Sequence, residues 1–213
     1  MGTTSKRRLR RFFLASAIQE PGEEVYLEKG ETRHLRNTLR LGIGESCLLT
    51  DGQGNEAEAR IQGFFADGRT HLTVEKITVS ENSEKGLLLK AYVALVQKNK
   101  LDYLIEKSQE LGVQEFIPLE TQRTAVKISA SNQKKILLRW NKIAQEAAKQ
   151  SGSLSLIKIC PPQRIGEALS RVPRADRIVI FHPAREAAPF SQWLSRLQDS
   201  PPQTLHLFWG PEG

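Results

Sequence analysis

The chain lacks most of the features that would announce an activity directly. Its 213 residues include two cysteines, Cys47 and Cys160. Two thiols without metal-type spacing make neither a disulfide framework nor a zinc site. No apolar run approaches the ~20 residues needed to span a bilayer. No charged-then-apolar leader with a small-residue cleavage site opens the chain. These absences point to a soluble protein of the reducing cytosol with no membrane partner. Aromatic residues make up 7%, too few to pave an RNA-recognition sheet with rings. There is no GxGxxG, no P-loop, no HExxH and no serine nucleophile elbow. Dinucleotide-dehydrogenase, Walker-type, zinc-protease and α/β-hydrolase chemistries are thereby set aside.

What the chain does have is a core and a charge. Hydrophobic residues are 39% and charged residues 26%, as expected of a globular protein of one large domain or two small ones. Lys and Arg number 31 against 24 Asp and Glu, a net charge of +7, and the pI is near 9.5. Such a balance asks for a polyanionic partner, nucleic acid first. The excess is clustered. Lys6, Arg7, Arg8, Arg10 and Arg11 run straight into Phe12-Phe13-Leu14, so the basic run leads into a strand held against a folded surface. Arg33, Arg36 and Arg40 fall on one face at helical spacing. Lys98 with Lys100, and Arg123 with Lys127, complete four clusters. Together they read as a phosphate-tracking surface, which gives affinity and position without sequence specificity.

Organisation follows from periodicity. Up to about Val79 the chain is β-rich: strands over Val25–Leu27, Ser46–Thr50, Ala57–Ala66 and Thr70–Val79, and one helix over Thr32–Leu41 stopped by Gly42. Asp51-Gly52 and Asp67-Gly68 supply hairpin turns. This predicts a small barrel over residues 1–80, and the polar stretch Ser80–Gly86 reads as a linker. Beyond it the pattern is α/β over 86–213. Leu87–Val96 is an apolar strand of the kind buried on both faces of a parallel sheet. Helices over Lys100–Leu111, Gln133–Gln150, Gln163–Ser170 and Ala187–Leu197 alternate with strands over Phe116–Leu119, Leu156–Ile159, Arg177–Phe181 and Thr204–Trp209. Gly112 sits where a left-handed helix end is expected, with apolar Val113 after it. Ligands of open α/β sheets bind at the carboxyl ends of the strands. Two loops qualify there: His182-Pro183, and Gly210-Pro211-Glu212-Gly213, whose glycines admit close approach of a ligand. A plain turn is the alternative reading of the second loop. The last strand ends in it with nothing to cover it, so the chain looks interrupted.

These pieces, in this order, resemble the small-subunit (16S) ribosomal RNA uracil N3-methyltransferases of the SPOUT class. The matching residues are Arg10-Arg11-Phe12-Phe13, His34 to Leu41 with Gly44, Asp51-Gly52, Gln97-Lys98 with Lys100, and Lys107 with Glu110 to Val113 and Pro118. They continue with Gln122-Arg123 and Val126-Lys127, Trp140 with Lys142 to Ala144 and Glu146-Ala147, and Gln150-Ser151-Gly152. His182-Pro183 and Gly210 to Gly213 close the series. The resemblance implies a PUA-like barrel that grips RNA and an α/β-knot domain that binds S-adenosylmethionine in a trefoil knot. It also implies a homodimer, and ribosomal RNA or the small ribosomal subunit as partner. Two departures stand out. Ser153 lies where the family usually carries a basic residue. The family also continues past the glycine loop with a helix and a knot-closing segment, so the chain is expected to be about one helix–strand–helix short.

Methyl transfer to uracil N3 requires loss of an imide proton and stabilisation of charge on the flanking carbonyls. Arg123, in the polar loop after Phe116–Leu119, is the first candidate for that charge, with phosphate binding the alternative. Glu212 is read as proton acceptor, as partner of the cofactor's ammonium group, or as a carboxylate that holds its loop. His182, Pro183, Gly210, Pro211, Glu212 and Gly213 are the expected cofactor contacts, with His182 acting through its backbone. Arg7, Arg8, Arg10, Arg11, Arg33, Arg36, Arg40, Lys98, Lys100, Arg123 and Lys127 are the expected RNA contacts. His34 is read as structural or RNA-facing. Gln150 is read as the cap of its helix or as a residue reaching the site. Two other functions remain open: a non-catalytic RNA-binding protein, if the native chain ends at Gly213, and a SPOUT enzyme acting on transfer RNA.

Overall fold

A computed structural model describes residues 9–79, 86–124, 126–182, 189–198 and 202–211. The chain divides into two compact units, Met1–Glu84 and Lys85–Gly213. The expected linker lies mostly outside the described residues.

In the first unit, β1 (Arg11–Phe13), β2 (Glu24–Leu27), β3 (Ser46–Thr50), β4 (Asn55–Phe64) and β5 (Thr70–Val79) form one sheet in the order β1-β3-β4-β5-β2. Among the described strands of this unit, β1 and β3 pair in parallel and the other pairs are antiparallel. Alternation decides what points inward. Phe12, Val25, Leu27, Cys47, Leu49, Ala57, Ala59, Ile61, Leu72 and Val74 share one buried cluster with Leu35. A single core drawing on all five strands makes the sheet wrap around it. The Cys47 thiol is pushed up to about 12 by burial and so behaves as a small hydrophobe. Asp51 organises the β3–β4 turn. Its carboxylate accepts from the Gln53 amide (2.8 Å) and from Asn55 Nδ2 (2.8 Å).

The helix of this unit departs from expectation. α1 spans Lys29–Arg33 and passes into one π turn over His34–Thr38. The Leu39 amide donates to His34 O at 3.2 Å, and the chain leaves the helix at Arg40, whose φ is +55°. Arg40 rather than Gly42 is the stop. The wider turn breaks the i, i+3, i+7 register, so Arg40 does not share a helical face with Arg33 and Arg36.

The second unit holds a parallel sheet in the order β10-β11-β6-β7-β8, with β9 also on β7. Its strands are β6 (Leu88–Ala94), β7 (Glu115–Glu120), β8 (Lys158–Ile159), β9 (Gln163–Arg164), β10 (Arg177–Phe181) and β11 (Thr204–Trp209). The helices are α2 (Lys98–Glu110), α3 (Ala130–Ser151), α4 (Ile165–Ser170) and α5 (Phe190–Gln198). Pleating sends Ala91, Val93 and Leu95 of β6 and its continuation to one face, with Leu101 and Ile105 of α2 and Trp140 and Ala144 of α3. Tyr92, Ile117, Leu119 and Phe208 meet Ala168 of α4 on the other. The sheet is therefore covered on both sides.

α2 ends as its sequence demands. Val113 N–H reaches Ser108 O (3.0 Å), Gly112 N–H reaches Gln109 O (3.2 Å), and Gly112 has φ +79°, a left-handed Schellman end. Leu111, expected on the apolar side, is instead 77% exposed, because the reversal at Gly112 turns it outward. The expectation that nothing covers the last strand also changes. β11 lies inside the sheet, between β10 and β6, and Leu205, His206 and Phe208 are buried. Phe208 stacks on Tyr92 at 4.2 Å. His206 shares hydrogen bonds with the Tyr92 hydroxyl (3.0 Å) and the Asp176 carboxylate (2.9 Å). Burial, chiefly, raises the Tyr92 phenol to about 12, with Glu115, Cys160 and Asp176 adding to it.

One buried side chain ties α2 to the chain beyond α3. Gln109 donates through Nε2 to Ser155 O (2.9 Å) and accepts through Oε1 from the Ile157 amide (2.8 Å). Replacing Gln109 by Leu leaves the buried Ile157 amide without a partner, while Ser155 O keeps the Ser153 hydroxyl (2.8 Å). Urea denaturation of Gln109→Leu should therefore show a loss of about 1–3 kcal/mol. A loss below ~0.5 kcal/mol would mean that water replaces the lost bond to Ile157.

Candidate functional site

Parallel strands put every carboxyl end on one edge, so the order of pairing dictates which loops meet. The chain starts at β6 and winds outward to β7, β8 and β9. It then returns to the other side for β10 and β11. The crossover to the far edge at β10 and the step inward to β11 set the last described strand beside the first of this unit, so that loops distant in sequence adjoin at the carboxyl ends. β11 pairs with β6 through Trp209↔Val93 and with β10 through Phe181↔Trp209. The loop after Trp209, the loop after Phe181 and the segment Leu95–Gln97 therefore emerge side by side. The loop after β7 is one strand spacing further, about 5 Å. Its place is fixed by the Leu95 amide donating to Leu119 O at 2.9 Å.

Each loop brings distinct chemistry. After β10 and β11, Phe181 and Trp209 stack at 4.6 Å with 6° between their planes. They floor the entry to exposed His182, exposed Gly210 and half-buried Pro211. After β6, α2 begins at once with Lys98 and Lys100, both exposed, and its first turn carries no acid. Lysines there oppose the helix dipole, which favours negative charge at that end. A local cost of this kind marks a place for an anion. A hollow of about 400 Å³ opens beside it, lined by Val96, Asn99, Lys100, Tyr103 and Leu104.

After β7 the chain makes a tight turn. The Thr121 amide donates to Thr124 Oγ1 (2.8 Å) and the Thr124 amide to Thr121 O (3.2 Å), lifting Gln122 and Arg123 into solvent. This turn borders a second hollow, about 330 Å³, lined by Glu120, Thr121, Gln122, Thr124, Val126, Lys127, Arg164 and Ile165. Arg164 escaped the sequence reading, which put Gln163 and Arg164 in a helix. They form β9, in register with Leu119 and Glu120. Pro161-Pro162 was the available signal, because prolines hold the preceding chain extended and delay a helix start.

The expected site residues therefore divide. Lys98, Lys100, Arg123, Lys127, His182, Gly210 and Pro211 meet on one edge, joined by Arg164. Pro183, Glu212 and Gly213 lie outside the described residues, as do Arg7 and Arg8. Gln150 is not on this edge. It ends α3, which runs antiparallel to the strands, and it lines a different cleft with Glu106, Glu110 and Arg139. Ser153 follows it there and donates to Ser155 O (2.8 Å). In the first unit Arg10, Arg33, Arg36 and Arg40 are exposed. Arg11 is mostly buried and ion-paired to Glu56 through Nε at 2.6 Å, so its charge is compensated within the sheet. His34 is exposed and packs edge-on to Phe12. Among the described residues, no three His, Cys, Asp or Glu side chains group as a metal site.

Both units have relatives among known proteins. Residues 83–213 match the RNA methyltransferase domain family, and residues 27–63 match the RNA methyltransferase PUA domain family. Ribosomal RNA small subunit methyltransferase E of Bacillus subtilis is 30% identical, the match covering 96% of this chain and 81% of that protein. The Synechocystis protein of the same name is 30% identical over 89% of this chain and 59% of its own length. The crystal structure of ribosomal RNA small subunit methyltransferase E from Neisseria gonorrhoeae, bound to S-adenosylmethionine, superposes with a TM-score of 0.80 at 26% identity. It covers 97% of this chain and 81% of that one. A Legionella pneumophila methyltransferase has the same fold, with a TM-score of 0.81 at 24% identity over 97% of this chain and 81% of its own.

Lys127 and Arg164 flank one hollow from two separate segments, and both are exposed. Lys127→Glu and Arg164→Glu should each weaken binding of single-stranded polyuridylate. Each should also shallow the slope of log affinity against log salt, by about 0.7 for every phosphate that is no longer neutralised. Stability should stay within about 0.5 kcal/mol, as for other surface substitutions. Filter binding across a salt series reads both; an unchanged slope in both variants removes these residues from the polyanion path.

Proposed function

This chain belongs to the ribosomal RNA small subunit methyltransferase E family, and we propose that it methylates small-subunit ribosomal RNA at N3 of a uracil, using S-adenosylmethionine. The observation that carries this reading is the convergence of loops at the carboxyl edge where β11 lies between β10 and β6. A side-chain-poor loop after β11 lies beside loops after β6 and β7 that bear cations.

The residues present fit the cofactor. Gly210 brings no side chain to obstruct a ligand, so the loop offers backbone N–H and C=O groups directly. The stacked Phe181 and Trp209 give that end an apolar, ring-lined base suited to a purine. His182 and Gly210 would hold the cofactor through their backbones, with Pro211 stiffening the approach. Pro183, Glu212 and Gly213 continue the same two loops in the sequence and join this assignment. When bound, S-adenosylmethionine supplies an electrophilic methyl group.

The chain's own residues supply the rest. Uracil N3 carries an imide proton and is a weak nucleophile until that proton leaves. Arg123, raised on the Thr121–Thr124 turn, is assigned to the charge that then spreads onto the flanking carbonyls. Lys127 and Arg164 add positive potential across the same hollow. Glu212 is assigned as proton acceptor. Lys98 and Lys100 hold backbone phosphates beside the site. Arg10, Arg33, Arg36 and Arg40 on the PUA unit grip RNA further along the strand, joined in the assignment by Arg7 and Arg8; Arg11 contributes mainly through its pair with Glu56. N3 lies on the pairing edge of uracil, so the target base must be unpaired to enter. A homodimer belongs to this reading, and exposed Leu111 and Leu138 offer apolar surface for one. So does action in the cytoplasm. No described helix is long and apolar enough to cross a membrane.

The test is methyl transfer by the full chain. It is incubated with methyl-labelled S-adenosylmethionine and small-subunit rRNA, and nucleosides are identified by mass spectrometry after digestion. N3-methyluridine is expected, with a loss of about 10²-fold in rate for Arg123→Ala, the scale of one removed charge-stabilising donor. Label on another atom contradicts the N3 assignment, and absence of label contradicts the activity.

A further inference from the structure

The chain has few aromatic residues, yet the first unit places two of them on its surface, side by side. Tyr26 on β2 and His71 on β5 are cross-strand partners, stacked at 5.3 Å with 22° between their planes. Phe65, at the turn that follows β4, stacks on the same imidazole at 6.0 Å and 25°. It lies 5.8 Å from Tyr26. The Arg69 guanidinium sits 5.5 Å from the Tyr26 ring and 5.9 Å from the Phe65 ring. Tyr26 is 39% exposed and Phe65 45% exposed. None of these rings belongs to the barrel core, because Val25, Leu27 and Leu72, their alternating neighbours, point the other way.

A cross-strand ring pair alone gives a hairpin a few tenths to about 1 kcal/mol. Tyr26 and His71 suffice for that, and it leaves exposed Phe65 and the guanidinium unexplained. Exposed rings beside a guanidinium are the means by which proteins hold unstacked bases. The border of the cluster has the charge to match. The Lys29 side chain packs against the β4–β5 turn at Gly68, and the Arg36 guanidinium lies 4.5 Å over the ring of neighbouring Phe64. Exposed Arg33 lies between them on the same helix. Acids are present as well: Asp67 pairs with Arg69 (2.8 Å), Glu24 lies 3.5 Å from His71 Nε2, and Glu31 sits on α1. Asp67 orients the guanidinium beside the rings, and Lys29, Arg33 and Arg36 bring three cations to the border.

We propose that Tyr26, Phe65 and Arg69 form a stacking site for one unpaired RNA base, with Lys29, Arg33 and Arg36 holding its flanking phosphates. The site reads no base identity, since every base offers a π-face; its role is to anchor an unpaired base of the substrate other than the methylated one. This rests on the proposed RNA substrate.

The probe is a short single-stranded RNA of adenines with one 2-aminopurine, which contains no uracil to methylate. Titration of the full chain should quench the fluorophore. The Tyr26→Ser/Phe65→Ser pair should abolish most of the quenching and weaken binding about tenfold, the scale of one lost base–aromatic stack. Tyr26→Phe should retain both. Arg69→Gln, an exposed change outside the core, gives a second reading if the pair of serines disturbs folding, and should weaken binding several-fold. A wild-type affinity and full quenching in the serine pair and in Arg69→Gln overturn the proposal. So does an effect confined to oligomeric state on a sizing column, which would make the rings a protein contact. Because methylation of rRNA by the wild-type chain is scored separately, failure of the stacking site and failure of the substrate reading are distinguishable.

Discussion

The pairing of β11 between β6 and β10 is the constraint on which the site depends. It brings the last described strand to the centre of the sheet, in register with the first strand of its unit. Tyr92 and Phe208 lock it by stacking face to face, and His206 ties it to Tyr92 and Asp176. Without that register, the loops after β10 and β11 would not lie beside those after β6 and β7. Cation-bearing segments far apart in sequence would then share no surface.

The unit is polarised by the same pairing. Its amino half carries the interactions that only hold the fold: the His206 network, the Gln109 clamp on Ser155 and Ile157, and the Schellman end at Gly112. Its carboxyl edge carries the arrangements that fold stability does not favour. Lysines stand at a helix N-terminus, and Lys127 and Arg164 border one hollow from separate segments. Each costs a little locally, and together they make sense around an anionic ligand. The first unit is divided in the same way, with one apolar core inside and arginines, lysine and stacked rings outside.

Much of this was legible in the sequence, and the exceptions have physical causes. The strands Ser46–Thr50, Thr70–Val79, Arg177–Phe181 and Thr204–Trp209 carry enough β-branched and apolar character, with clear turn residues, that their bounds match those observed. Of the two loops expected at strand ends, the described His182, Gly210 and Pro211 lie on the carboxyl edge of the sheet. The π turn at His34–Thr38 left no such mark, because periodicity fits a regular helix to any run of suitable residues, and so Arg40 was placed on the wrong face. Arg164 was missed because a two-residue strand is too short for alternation to register. Arg11 looked like a free cation because its partner, Glu56, is 45 positions away. The Tyr26–His71–Phe65 cluster is invisible in composition, since pairing of β2 with β5 creates it.

The central claim is that the cofactor and the reacting base meet at the carboxyl edge, where β11 lies beside β6. Hydrogen exchange of the full chain, with and without S-adenosylmethionine, tests it most directly. The account predicts added protection in the segments after β10 and β11, around His182 and Gly210, extending to Leu95–Gln97. The sheet's amino edge and the first unit should be unchanged. Protection centred instead on the cleft near Gln150, or on the first unit, would contradict it.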